Sequence, residues 1–193
     1  MVKVLFIVEG KVEKIFIDHL HRNKWFERFG IQKVGPTIDA KGGGNLCPEN
    51  IDDFIQQAKT HSPDKIVILT DLECDPCIEK TKKRLGDCTL CKIIIARKAI
   101  EAWFLADDDL LSKLSERKCT HYETPENTSK MPFETFKVLA KRLALSRGPG
   151  SKVMFVKRVL REGFGIEKAA AHEQCGSAMY FVEAIRGIGD GNS

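Results

Sequence analysis

The chain has 193 residues, enough for one substantial hydrophobic core, and its hydrophobic (42%) and charged (30%) fractions exclude a disordered or fibrous class. The formal net charge of +4 is uneven, since residues 130–168 contain ten Lys or Arg and three acids, which gives this stretch +7 and the remainder −3. No apolar run approaches the ~20 residues that cross a bilayer and no targeting segment is recognisable, so we expect a cytoplasmic protein with no membrane partner.

Strands and helices alternate along the first part of the chain. Continuous apolar runs predict buried strands, with a weaker one second in the order, at residues 2–8, 31–38, 65–70 and 91–96. Apolar residues at helical spacing predict the intervening helices at residues 12–24, 48–58, 76–85 and 98–114. This alternation predicts an α/β fold with a mainly parallel sheet of about four strands.

The last part of the chain is predicted to be helical. Residues 115–132 are polar and are interpreted as a long loop. Amphipathic patterns then predict helices at residues 133–145, 151–160, 163–172 and 177–185. We therefore expect an α/β domain at residues 1–112 and a C-terminal extension at 113–193, a loop and helices that pack on it as one compact unit.

Acidic residues follow three of the predicted strands, as Glu9 and Glu13, Asp71 and Glu73, and Glu101. The carboxyl ends of parallel strands lie at one edge of a sheet, so these side chains are expected to meet. Crowded carboxylates repel each other unless a cation neutralises them, and Mg²⁺ prefers carboxylate oxygens. Taken alone, Glu13 and Glu101 are more typical of a solvated loop or a helix cap than of a metal site, and Asp75 before Pro76 is interpreted as a cap. Together the acids predict a metal site.

Three motifs resemble those of a known family: VEG after the first strand, DLECD after the third and IEAWFLAD after the fourth. They resemble the Toprim fold of topoisomerases and primases. The chain is most similar to the small prokaryotic Toprim-like proteins related to the overcoming-lysogenization-defect (OLD) nucleases. The resemblance covers about residues 1–112 and implies a three-layer, Rossmann-like domain.

The resemblance implies a nuclease that cleaves phosphodiester bonds of DNA or RNA with Mg²⁺, or with Mn²⁺ in its place. Glu9 and Asp71 take the catalytic positions of the family. The implied metal ligands are Glu9, Glu13, Asp71, Glu73 and Glu101. Glu73 stands where the family has aspartate, which changes the position of a bound ion. The basic side chains expected to hold nucleic acid are Lys98, Lys152, Lys157, Arg158 and Arg161.

A second hypothesis is a non-catalytic Toprim-like module that binds nucleic acid or a partner protein, for which an ATPase is the expected partner. Glu73 in place of aspartate and the lack of an ATPase on this chain favour it. The basic stretch at residues 130–168 is also typical of a solvated helix face. Two glycine-rich stretches, KGGGN and GPGSK, lack the spacing of a phosphate-binding loop and are interpreted as turns.

A third hypothesis is a zinc-stabilised domain. Its ligands would be Cys74, Cys77, Cys88 and Cys91, which have the C-x₂-C-x₁₀-C-x₂-C spacing of a tetrahedral site. The helix predicted at residues 76–85 argues against it, because a rise of ~1.5 Å per residue separates the two pairs by about 15 Å. The seven cysteines of the chain are expected to be free thiols rather than a disulfide framework.

Overall fold

The structure is a computed structural model that describes residues 1–72, 78–85, 88–115, 120–142 and 148–191. The chain divides into two compact units. The first unit comprises Met1–Ile95 with Glu183–Ser193, and the second unit is Ala96–Val182. The boundary expected after residue 112 therefore lies inside the second unit, and the observed units divide the chain differently from the predicted domains.

The first unit is organised around a five-stranded, mainly parallel sheet. Its strands are β1 (Val2–Val8), β2 (Ile31–Lys33), β3 (Ile38–Asp39), β4 (Lys65–Asp71) and β5 (Cys91–Ala96). β1 pairs in parallel with β2, β3 and β4, and β5 is hydrogen-bonded beyond β4. The predicted α/β class is confirmed. The sheet has one strand more than expected because Gly35, at φ 61°, and Pro36 separate β2 from β3.

The described helices are α1 (Lys11–Arg22), α2 (Pro48–Lys59), α3 (Ile78–Leu85), α4 (Glu101–Leu105), α5 (Asp108–Ser115), α6 (Pro132–Arg142), α7 (Lys152–Arg161), α8 (Ile166–Ala170) and α9 (Gly176–Gly189). The single helix predicted at 98–114 is wrong. Asp107 interrupts it, because its Oδ1 accepts a hydrogen bond from Leu110 N (3.0 Å) and caps α5. The predicted loop at 115–132 contains a short 3₁₀ helix, Pro125–Asn127.

Apolar side chains cover both faces of the sheet in the first unit. Leu5 and Ile7 of β1 belong to a buried cluster that includes Ile51 of α2. Phe6, on the opposite face by strand alternation, packs its ring 4.8 Å from that of Phe26. Each fully buried side chain of this kind contributes roughly 1.5–3 kcal/mol. The result is a three-layer, Rossmann-like arrangement.

The second unit has its own aromatic core. Trp103 and Phe104 of α4 are fully buried. The Trp103 ring lies 5.3 Å from that of Phe181, and its Nε1 donates to Ser177 Oγ (2.8 Å). Ser177 N in turn donates to the buried Glu126 carboxylate (2.8 Å). This network fixes the start of α9.

Across the described ranges, no helix is both long and apolar enough to span a membrane.

The oxidation state of the cysteines differs in part from the prediction that all are free thiols. Cys88 and Cys91 form a disulfide, so the prediction of free thiols is wrong for this pair. A turn closed by Cys91 N donating to Cys88 O (2.9 Å) brings their Cα atoms to 5.1 Å, a separation that a disulfide can bridge. Cys74 and Cys77 lie outside the described residues. A zinc site of four thiolates needs Cys88 and Cys91 reduced, so the predicted ligand pair Cys88 and Cys91 is not available in this structure. Burial raises the pKa of the Cys175 thiol, which favours its protonated form.

Candidate functional site

Glu9 and Asp71 lie together where β1 and β4 end. The two strands run in register, with Val8 opposite Leu69. Glu9 Oε2 accepts one hydrogen bond from Thr70 Oγ1 (2.6 Å) and another from Asp71 N (2.9 Å). Both bonds cross from one strand to its neighbour. The Glu9 carboxylate is therefore oriented by β4. One of its two hydrogen-bond donors is the backbone N–H of Asp71, so the Asp71 side chain is attached to the residue that makes this contact.

Glu13 approaches the same edge of the sheet from α1. It lies in the first turn of that helix and is 4% exposed, while Asp71 is 5% exposed. A Cβ atom placed on Gly10 would be 3.4 Å from Glu13 Oε2, so this carboxylate lies back against the residue that follows Glu9. Glu9, Glu13 and Asp71 lie at the same edge of the sheet, and we call these three residues the carboxylate crest. Their carboxylate oxygens do not all lie within 4.8 Å of one another, so a shared ion requires the side chains to move closer together.

The glycine-rich loop at residues 41–45 covers the Glu9 side of the crest. Gly42 N donates to Glu9 O (2.8 Å). A Cβ atom on Gly43 would lie only 3.0 Å from Glu9 Oε1, closer than side chains normally pack. The sequence predicted a turn here, and Gly43–Leu46 form a short 3₁₀ helix, but the pattern did not place this segment over Glu9. Its glycines were the only available signal, since they permit a close approach of backbone to another group.

Asp39 is an acidic residue at this edge that the sequence analysis missed. It is the last residue of β3 and lies in register with Val8, one residue before Glu9. Its Oδ1 accepts a hydrogen bond from Lys41 N (2.8 Å), so the side chain helps to shape the start of the covering loop. An acid directly after the weak second strand was the signal that would have found it.

The two remaining predicted ligands have different outcomes. Glu73 lies outside the described residues. Glu101 begins α4 in the second unit, where it is fully buried and its Oε1 lies 2.9 Å from Lys152 Nζ. Its participation in a metal site stays a prediction. The pairing shows that Lys152, predicted to contact nucleic acid, neutralises a buried carboxylate.

The other predicted basic residues lie on or near the surface of the second unit. Lys98 has a left-handed backbone (φ 62°), and its Nζ donates to Thr128 Oγ1 (3.3 Å). Lys157 and Arg161 are exposed on α7, whose start is capped by Ser151 Oγ accepting from Met154 N (3.3 Å). Arg158, on the same helix, is partly buried.

A basic groove of about 770 Å³ lies beside these residues in the second unit. Its charged lining is Lys130, Lys137, Lys141 and Glu134, and residues 148–150 complete it. Lys137 Nζ contacts Glu134 Oε1 (2.6 Å) and lies 4.9 Å from the centre of the Phe133 ring. The lysines exceed the acids, so the groove suits an anionic ligand.

The chemistry of the carboxylate crest fits a hard divalent cation. All three of its side chains offer carboxylate oxygens, which Mg²⁺ and Mn²⁺ prefer to nitrogen or sulfur ligands. Both hydrogen bonds to Glu9 fall on Oε2, while Oε1 faces the glycine loop.

Comparison of the chain with protein-family models, with curated proteins and with solved structures finds no match.

Proposed function

We propose that the protein is a Mg²⁺-dependent nuclease of the Toprim type, similar to the OLD-related proteins, that cleaves phosphodiester bonds in nucleic acid. The observation that supports this most strongly is the contact between Glu9 and Asp71 at the common end of β1 and β4. Two hydrogen bonds from β4 fix the Glu9 carboxylate at the end of β1. Such fixed orientation is what a metal ligand needs from its surroundings.

Glu9, Glu13 and Asp71 would hold the ion, with Glu73 as a further proposed ligand, whereas Glu101 is paired with Lys152 in the second unit. A bound Mg²⁺ supplies charge neutralisation at the scissile phosphate and acidifies a water molecule. Thr70 holds Glu9 in position through its hydroxyl, and the absence of a side chain at Gly43 lets the loop lie close to the second carboxylate oxygen. The crest thus orients its own ligands before any substrate arrives.

The second unit would bind the phosphate backbone in this proposal. Exposed Lys157 and Arg161 and the lysines of the basic groove provide the positive charge. Binding through lysine and arginine releases counterions, so the affinity for nucleic acid is expected to fall steeply with salt. A cytoplasmic location belongs to the same proposal, whereas an ATPase partner belongs to the non-catalytic alternative.

A second candidate function is nucleic-acid binding without cleavage. The basic groove supports it, because its lysines and the exposed side chains of α7 provide a positive surface that needs no metal. In this case the carboxylate crest would only stabilise the fold. Binding and cleavage assays on the same preparations separate the two functions.

The test measures cleavage of plasmid, single-stranded DNA and RNA by the wild-type protein and by Glu9→Gln and Asp71→Asn. Each substitution removes one charge with almost no change in shape. Glu27→Gln, an exposed acid in the first unit, is the matched control. We expect Mg²⁺-dependent cleavage that falls on the order of 100-fold or more in both crest variants, since loss of even an outer partner of a metal site costs about 10–100-fold.

Cleavage that is insensitive to EDTA and to both crest substitutions would refute the nuclease proposal. Salt-sensitive binding of nucleic acid without cleavage, unchanged in Glu9→Gln, would support the second function instead. The Glu27→Gln protein is expected to retain the activity of the wild type.

A further inference from the structure

A second group of metal-ligating side chains lies in the second unit and has no part in the proposed nuclease site. Asp108, His121 and His172 come from the start of α5, from the segment before Pro125–Asn127 and from the turn after α8. One ligand atom from each lies within 4.8 Å of those of the other two. Three separate segments of the chain therefore bring one carboxylate and two imidazoles to a common point.

The contacts inside this group have the spacing of metal ligands. His121 Nδ1 lies 2.8 Å from Asp108 Oδ2. The rings of His121 and His172 stack with their centres 5.0 Å apart and their planes 9° from parallel. Bonds of about 2.0–2.2 Å to one ion place neighbouring ligand atoms roughly 3 Å apart. Because an imidazole binds a metal in the plane of its ring, one of the two stacked rings must turn out of the stack for all three ligand atoms to reach one ion.

Asp108 carries an independent sign of a missing ligand. Its Oδ1 is buried, and within the described part of the chain it has no hydrogen-bond partner, although its Oδ2 contacts His121. A buried carboxylate oxygen without a partner costs free energy, and a bound cation would offset that cost. The oxygen thus lies unsatisfied in the same residue that contacts the histidine pair.

Both ring nitrogens of His172 have backbone partners. Its Nε2 lies 3.1 Å from Tyr122 O, and its Nδ1 lies 3.1 Å from Gln174 N. A proton on Nε2 satisfies both contacts, because Nε2 then donates to Tyr122 O and the Nδ1 lone pair accepts from Gln174 N. An ion at Nδ1 would take the place of the Gln174 N–H. Metal-binding histidines commonly donate their other ring N–H to a backbone carbonyl, as this one does to Tyr122.

We propose that Asp108, His121 and His172 bind a divalent transition-metal ion of the zinc class. One carboxylate and two imidazoles match the ligands of known three-residue zinc sites, whereas Mg²⁺ and Ca²⁺ prefer oxygen ligands alone. The ion replaces the proton shared by His121 Nδ1 and Asp108 Oδ2. Three protein ligands leave at least one coordination position for water or a small ligand. A cavity of about 300 Å³, lined in part by Asp108, Lys168 and His172, lies beside the group.

Zinc titration of the chelator-treated, full-length protein under non-reducing conditions tests this site. The variants are Asp108→Asn, His121→Gln and His172→Gln. The matched control is Asp109→Asn, which removes the same charge from the next residue, where the carboxylate pairs with Lys168 Nζ at 2.6 Å. We expect one zinc ion per wild-type and control chain, with affinity reduced on the order of 100-fold or more in the three variants.

Two further measurements, of the melting temperature and of the Co²⁺ absorption spectrum, complete the test. Zinc is expected to raise the melting temperature of the wild type and the control but not that of the three variants, each of which is first checked for folding by circular dichroism. Substitution with Co²⁺ is expected to give visible bands of a nitrogen and oxygen site without a thiolate charge-transfer band. Undiminished zinc binding in the three variants, a thiolate band, or no saturable zinc binding by the wild type would overturn the proposal.

Discussion

Thr70 connects the fold to the proposed metal site, and Thr70→Val tests that connection. The residue is fully buried, and its hydroxyl donates to Glu9 Oε2 at 2.6 Å. A hydrogen bond to a charged acceptor contributes about 1.5–3 kcal/mol. Glu9 keeps its bond from Asp71 N, and valine matches threonine in shape and favours strands, so we expect a net loss of about 1–2 kcal/mol in the free energy of unfolding.

The loss of orientation at Glu9 is expected to weaken Mn²⁺ binding by about 10–100-fold, the usual effect of removing an outer-shell partner. Calorimetric titration with Mn²⁺ measures the affinity, and urea denaturation in EDTA measures the stability. Thr70→Ser is the matched control, because it keeps the hydroxyl and removes only a methyl group. Equal Mn²⁺ affinity in the valine, serine and wild-type proteins would refute the claim that this hydroxyl positions a metal ligand.

Two other predictions concern stability. A Cβ atom on Gly189 would lie 1.8 Å from Phe29 O, so Gly189→Ala is expected to lower the free energy of unfolding by about 1–3 kcal/mol or more. Gly187 has open space around it, so Gly187→Ala is expected to raise the free energy of unfolding by up to about 1 kcal/mol. Equal effects of the two substitutions in urea denaturation would contradict this. Burial, with a smaller effect of Arg22, lowers the pKa of His19 below its usual 6.5. As the pH falls, His19 therefore binds a proton in the unfolded chain before it does so in the folded protein. The free energy of unfolding is expected to decrease as the pH falls below about 6.5. His19→Gln is expected to reduce the acid-induced loss of stability relative to the wild type, and an unchanged pH profile would count against it.

The strands of the first unit were predictable because their signals are local. β1 and β4 are continuous apolar runs, and residues 4–8 are fully buried as that pattern requires. The break between α4 and α5 was missed because Ile100, Trp103 and Leu110 keep a helical spacing across it. Only the capping hydrogen bond of Asp107 shows where the second helix begins.

The candidate sites depend on contacts that a linear pattern does not contain. The sequence led to Glu9 and Asp71 because each follows a strong strand, and parallel pairing then brings them together. Thr70 was read only as part of a buried strand, and its hydroxyl gained a role once Glu9 was known to lie beside it. The group of Asp108, His121 and His172 has no short motif, since its members meet only after the second unit folds.

A crystal structure of the protein soaked with Mn²⁺ tests most directly whether the carboxylate crest binds a divalent cation. Mn²⁺ occupies Mg²⁺ sites, and its anomalous scattering identifies it without ambiguity. We expect an anomalous peak within about 2.0–2.4 Å of carboxylate oxygens of Glu9 and Asp71, with Glu13 coordinating the ion directly or through water. A well-ordered crest with no anomalous peak at saturating Mn²⁺ would contradict it.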